Sequence, residues 1–125
     1  MLRLMKERES INVVNDQQGC PTYAADLAQC IMKIIEKHAA FHIPYPVFNY
    51  CNEGAISWYQ FATAIKELSN SNCIINPIPS SQYPTAAKRP SYTVLNTGRI
   101  KEVFALTIPQ WRESLEKCLL QISQA

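Results

Sequence analysis

The sequence predicts an α/β fold, a small mixed α/β unit with few short strands and about four or five helices. Three observations predict it. Short β-branched runs alternate with longer stretches whose apolar residues recur at helical spacing. Two stretches open on an S/T-x-x-Q box, the local signature of a helix start. The three glycines sit in three separate turns, and most of the eight prolines fall between the patterned segments.

The elements follow in order. Leu2 to Arg8, with apolar Leu2, Leu4 and Met5, reads as the end of a helix. "INVVN" is a β-branched strand, and "DQQGCPT" is a turn punctuated by Gly19 and Pro21. From Ala24 to Lys37, residues Leu27, Cys30, Ile31, Ile34 and Ile35 mark one face of a helix. "HAAFHIPYP" is a loop stiffened by Pro44 and Pro46, and "VFNYCNEG" reads as a strand running into a turn. Ser57-Trp58-Tyr59-Gln60 is a capping box at the head of a helix that buries Phe61, Ile65 and Leu68. "CIINPI" is a third strand, stopped by Pro77 and Pro79. Asn96 is placed to cap a short helix, Thr97 to Phe104. Thr107 to Gln110 forms a second box before a last helical face of Trp111, Leu115, Cys118, Leu119 and Ile122. Three short strands are few for a sheet that stands alone, so the unit is expected to pack on something else.

Composition removes several classes of function. The chain has 125 residues, 47% hydrophobic and 18% charged, enough for a buried core and against disorder. A net charge of +2 gives no case for nucleic acid. No apolar run approaches the length of a membrane span. Five cysteines, none at C-x-x-C spacing, and only His38 and His42 argue against a zinc site or a disulfide framework. Reduced thiols in a cytoplasmic protein are the expectation.

The residues offer little catalytic chemistry. With glycine only at 19, 54 and 98, neither a G-x-G-x-x-G loop nor a P-loop is possible. Asp16 reads as a turn acid, Asp26 as a helix-dipole acid and Glu53 as a solvated turn residue. Cys20 precedes a helix but has no histidine near it in sequence. The stretch "SSQYPTAAKRPSYTVLN", residues 80 to 96, is different. Pro84 and Pro90 bar a helix and restrain the backbone around Lys88 and Arg89. An arginine held in a stiff loop can fork two hydrogen bonds onto a phosphate.

Three separate blocks carry a family resemblance. The pattern V-V-x-D-Q-x-G-x-P-T-x-x-x-D-L-A is met by Val13, Val14, Asp16, Gln17, Gly19, Pro21, Thr22, Asp26, Leu27 and Ala28. N-E-G followed by S-W-Y-x-F-A is met by Asn52, Glu53, Gly54, Ser57, Trp58, Tyr59, Phe61 and Ala62. Y-P-T-x-A-x-R-P-x-Y-S-x-L is met by Tyr83, Pro84, Thr85, Ala87, Arg89, Pro90, Tyr92 and Leu95, with Thr93 in place of serine. The chain thereby resembles the C-terminal, substrate-binding portion of the dTDP-4-dehydrorhamnose reductases, Rossmann-type enzymes of the extended short-chain dehydrogenase/reductase superfamily.

The resemblance implies NADPH-dependent reduction of a dTDP-4-dehydro sugar to dTDP-L-rhamnose, for polysaccharide biosynthesis, with magnesium often associated. It also implies that Arg89 contacts the substrate diphosphate, that Gln17 lies on a substrate-side loop, and that Tyr83 and Trp58 line the pocket or pack in the core. One departure limits the expectation. The family's Y-x-x-x-K pair and glycine-rich cofactor loop have no counterpart here, since Tyr59, Tyr83 and Tyr92 are followed four residues on by Thr63, Ala87 and Asn96. Residues 1–125 are therefore expected to be the substrate-binding portion alone, without the N-terminal Rossmann domain. Alone they are expected to bind no cofactor and catalyse nothing. The expected partners are a dTDP-sugar and the missing domain, with self-association through the face that domain would cover. The alternative is a non-catalytic regulatory or binding module derived from the same family.

Overall fold

The computed structural model describes residues 1–38, 47–87 and 89–124. The expected loop around Pro44 and Pro46, and Lys88, lie outside them. Five α-helices and four short strands are present among the described residues: α1 Leu2–Glu7, β1 Ser10–Val14, β2 Gln18–Gly19, α2 Ala24–His38, β3 Ile56–Ser57, α3 Trp58–Leu68, β4 Ile74–Ile78, α4 Gly98–Phe104 and α5 Trp111–Gln124. A 3-10 turn, Ser80–Gln82, follows β4. No helix among the described residues is long and apolar enough to cross a membrane.

The sheets are two separate pairs. β1 and β4 run parallel, in register from Ser10 opposite Ile74 to Val14 opposite Ile78. β2 and β3 are antiparallel, Gln18 opposite Ser57 and Gly19 opposite Ile56. The turn expected at residues 16–22 thus contributes a strand of its own. Pro77 lies inside β4, opposite Val13, instead of stopping it. In a two-stranded sheet β4 is an edge, where a proline is tolerated because its missing N–H can face outward.

Two apolar clusters make the core. Met5, Ile11, Val13, Ala62, Ala64, Ile65, Cys73 and Leu115 join α1, β1, α3 and α5. The α3 start is built as the sequence dictates. Gln60 N donates to Ser57 Oγ at 3.1 Å and Ser57 N donates to Gln60 Oε1 at 2.8 Å, a reciprocal capping box. Cys30, Ile100, Phe104 and Ile108 form the second cluster, with Phe48 edge-on to Phe104 at 5.2 Å between ring centres.

Several local expectations are corrected. Residues 47–54 form no strand; their pairing is a single bridge, Glu53 with Gln110. A strand needs consecutive paired partners, and here a single pair forms among the described residues. The Asn96 side chain accepts from Gly98 N at 2.8 Å, but the cap position of α4 is Thr97, one residue later than expected. α5 starts at Trp111, after the Thr107 to Gln110 box rather than within it. The α2 face is only half used. Cys30 is buried and Ile34 partly so, against α4, whereas Ile31 and Ile35 are 47% and 62% exposed. Periodicity identified the helix, but the seven-residue α4 covers only part of the stripe.

Candidate functional site

The segment Asp16–Gly19 organises one side of the molecule. The Asp16 carboxylate accepts from Ser80 N at 3.0 Å and from Ser80 Oγ at 2.9 Å. Two residues on, Gln18 N donates to Ser91 O at 2.8 Å, and Gln18 O accepts from Thr93 N at 2.9 Å and Thr93 Oγ1 at 3.1 Å. Gln18 also pairs with Ser57, next to Trp58. Both ends of the loop that carries Tyr83 and Arg89 are thus tied to one short stretch, with Gln17 between the ties. Gly19 permits this approach, because a Cβ there would stand 2.8 Å from Thr93 Oγ1.

These ties wall a cleft of about 900 Å³. Gln17, Trp58, Tyr83 and Arg89, the four residues singled out in the sequence, all line it. An adjoining pocket of about 180 Å³ shares Gln17, Trp58 and Arg89. Trp58 and Tyr83 are 50% and 55% exposed, so neither is a core residue. The rest of the lining includes Arg8, Ser10, Asn12, Ser80, Ser81 and Gln82. Arg8 was not apparent from sequence, since nothing in "KERES" distinguishes a cleft arginine from a solvated one. Among the described residues, no aspartate or glutamate lines either cavity. Among the described residues Arg8 and Arg89 make no ion pair. The cleft therefore offers two arginines uncompensated by acids, together with hydroxyls, amides and two aromatic faces, a set suited to an anionic ligand with a ring.

The Ser80 backbone N–H, then the Ser80 hydroxyl, hold the Asp16 carboxyl below its ordinary pKa. A depressed folded pKa stabilises the tie at every pH above the ordinary carboxylate value. The tie is lost as pH falls through the lowered folded value. The Ser80 amide resonance is expected to titrate with a midpoint below that of an unperturbed aspartate; a midpoint at or above it would contradict the tie.

The other acids are structural, and differently from expectation. Asp26 is buried, and its Oδ2 accepts from Asn52 Nδ2 at 2.7 Å and from Ser114 Oγ at 2.5 Å. Glu53 is no free turn acid, because Lys101 Nζ stands 2.8 Å from its Oε1 and ties α4 to the 51–54 turn. Cys20 is partly buried near Cys51, whose thiol is pushed up to about 11 by burial and then by Cys20. A thiol so shifted stays protonated near neutral pH and is no nucleophile.

For the cofactor groups that the resemblance implies, the described residues offer neither a glycine cradle nor a cluster of three metal ligands. Gly19 faces Thr93, Gly54 faces Trp111 and Gly98 adjoins Asn96, so no glycine lies in a phosphate cradle. Among the described residues no group of three or more His, Cys, Asp or Glu could hold a metal ion.

Residues 1–124 match the family described as RmlD substrate binding domain. The dTDP-4-dehydrorhamnose reductase of Aggregatibacter actinomycetemcomitans is 36% identical, over 93% of this chain and 42% of its own. The Bacillus subtilis spore coat polysaccharide biosynthesis protein SpsK is 36% identical, over 100% of this chain and 42% of its own. The crystal structure of dTDP-4-dehydrorhamnose reductase from Bacillus anthracis, in complex with NADP, superposes with a TM-score of 0.87. It is 35% identical, covering 96% of this chain and 41% of that one. The chain thus spans about two fifths of the length of the relatives it matches, and it belongs to the RmlD substrate binding domain family.

Proposed function

We propose that this chain is the sugar-nucleotide-binding portion of a dTDP-4-dehydrorhamnose reductase. The whole protein would reduce dTDP-4-dehydro-6-deoxy-L-mannose to dTDP-L-rhamnose with NADPH, in the cytoplasm. The observation that carries the reading is the cleft itself, which gathers Gln17, Trp58, Tyr83 and Arg89 and, among the described residues, is lined by two arginines and no acid.

In this reading Arg89 forks its guanidinium onto the diphosphate, and Arg8 adds a second positive charge. The Gln17 amide hydrogen-bonds the sugar or phosphate, while Trp58 and Tyr83 offer ring faces to the base or sugar. The nicotinamide cofactor and the proton-donating tyrosine-lysine pair then belong to an N-terminal Rossmann domain outside these residues. The five free thiols support a reducing compartment.

Calorimetric titration of the chain with dTDP, and with thymidine as the uncharged comparison, tests the reading. Binding of dTDP and a much weaker response to thymidine are expected. Equal affinity for both would contradict a diphosphate site.

A further inference from the structure

We propose that Asp16 is a positioning residue for the cleft, whose carboxylate clamps the start of the loop and so holds Ser80 to Tyr83 where they meet the anionic ligand that Arg89 binds. The proposal rests on the reading of Arg89 as the phosphate contact.

The loop is fastened at two points. Ser80 is bound to Asp16, and Ser91 and Thr93 are bound to Gln18. Between them, the hydrogen bonds among described residues are local: Gln82 N to Pro79 O, Tyr83 N to Ser80 O and Thr85 Oγ1 to Ala87 O. No other hydrogen bond ties the described residues between Gln82 and Pro90, so releasing the Asp16 fastening lets the start of the loop swing. The Asp16 side chain does not line the cleft, whereas Gln17 beside it does. Asp16 therefore acts on a ligand through the loop and not by contact.

The charge of Asp16 makes the proposal decidable. A carboxylate beside an anion site that acted only through its charge would repel the ligand, so its removal would tighten binding. A clamp predicts the opposite direction.

The chain is compared with Asp16→Ala, Asp16→Asn and Arg89→Ala, using dTDP as the probe and amide exchange at Gln82 and Tyr83. Asp16→Ala is expected to speed both amides about tenfold and to weaken dTDP binding roughly five- to tenfold, with one hydrogen-bonded fastening lost. Asp16→Asn, which removes the same charge but keeps an acceptor for Ser80 N–H, is expected to recover most of both effects. Unchanged exchange in Asp16→Ala, or unchanged or tighter dTDP binding, would overturn the clamp. Should Asp16→Ala fail to fold, Ser80→Ala removes only the hydroxyl bond. It is expected to move both readouts the same way by less, and no movement in either would overturn the proposal. Unchanged affinity in Arg89→Ala would sink the phosphate reading alone, and the exchange measurements would still decide whether Asp16 holds the loop.

Discussion

Replacing Asn52 by alanine is expected to destabilise the fold by about 2–4 kcal/mol, from the loss of several hydrogen bonds made by one buried amide. Asn52 is 1% exposed. Its Oδ1 accepts from Tyr23 N at 2.8 Å, just before α2. Its Nδ2 donates to Asp26 Oδ2, to Ser114 Oγ at 2.9 Å and to Pro109 O at 3.3 Å. One amide thus joins the start of α2, the first turn of α5 and the approach to it. Alanine removes all of these bonds, leaving the part-buried Tyr23 N–H without its acceptor and the buried Asp26 carboxylate with Ser114 Oγ as its remaining partner. Asn52→Asp is expected to be at least as costly, because it keeps the acceptor but turns a second carboxylate oxygen toward Asp26. Urea midpoints with unchanged slope would measure both. A loss below about 1 kcal/mol for Asn52→Ala would show that the network is not a structural centre.

Gly54→Ala is expected to cost about 2–6 kcal/mol, from backbone strain of about 1–3 and overpacking of about 1–3 kcal/mol. The two causes are separate. Gly54 has φ +103°, which an L-residue rarely adopts, and an added Cβ would stand 2.5 Å from Trp111 Cδ1. Trp111 has little room to move, since its ring packs edge-on to Phe61 and its backbone N–H donates to Glu53 O at 2.9 Å. A double-mutant cycle with Trp111→Leu divides the cost. The overpacking part should vanish in the Trp111→Leu background, and the backbone part should remain. Full additivity would contradict the close approach.

Asn52 and Gly54 show where sequence reading reaches its limit. "NEG" was legible as part of a family pattern and as a turn, but not as the place where α2 and α5 are tied together. Asn52 and Ser114 lie 62 residues apart, and no local rule pairs them. Glu53 read as solvated for the same reason, since its partner Lys101 lies 48 residues on. What depends on near neighbours was legible: the Ser57–Gln60 capping box, the helical stripes of α2 and α5, and the β-branched β1. The cleft was legible in part. Gln17, Trp58, Tyr83 and Arg89 stood out as polar, aromatic or proline-flanked residues within recognisable blocks. Arg8 and Ser80 did not, because they reach the cleft only after β1 pairs with β4 and the loop folds back onto Asp16. Prolines misled once, at Pro77, because the sequence alone did not show that β4 would be an edge.

The most direct test of the central claim compares dTDP binding to the chain and to Arg89→Ala. Arg89 lines both cavities and makes no ion pair among the described residues, so its removal leaves no buried partner uncompensated and should spare the fold. A charge-assisted contact of about 1.5–3 kcal/mol predicts a Kd raised roughly ten- to a hundredfold, with thymidine binding unaffected. An unchanged Kd for dTDP in a normally folded Arg89→Ala chain would contradict the claim that this loop holds the diphosphate.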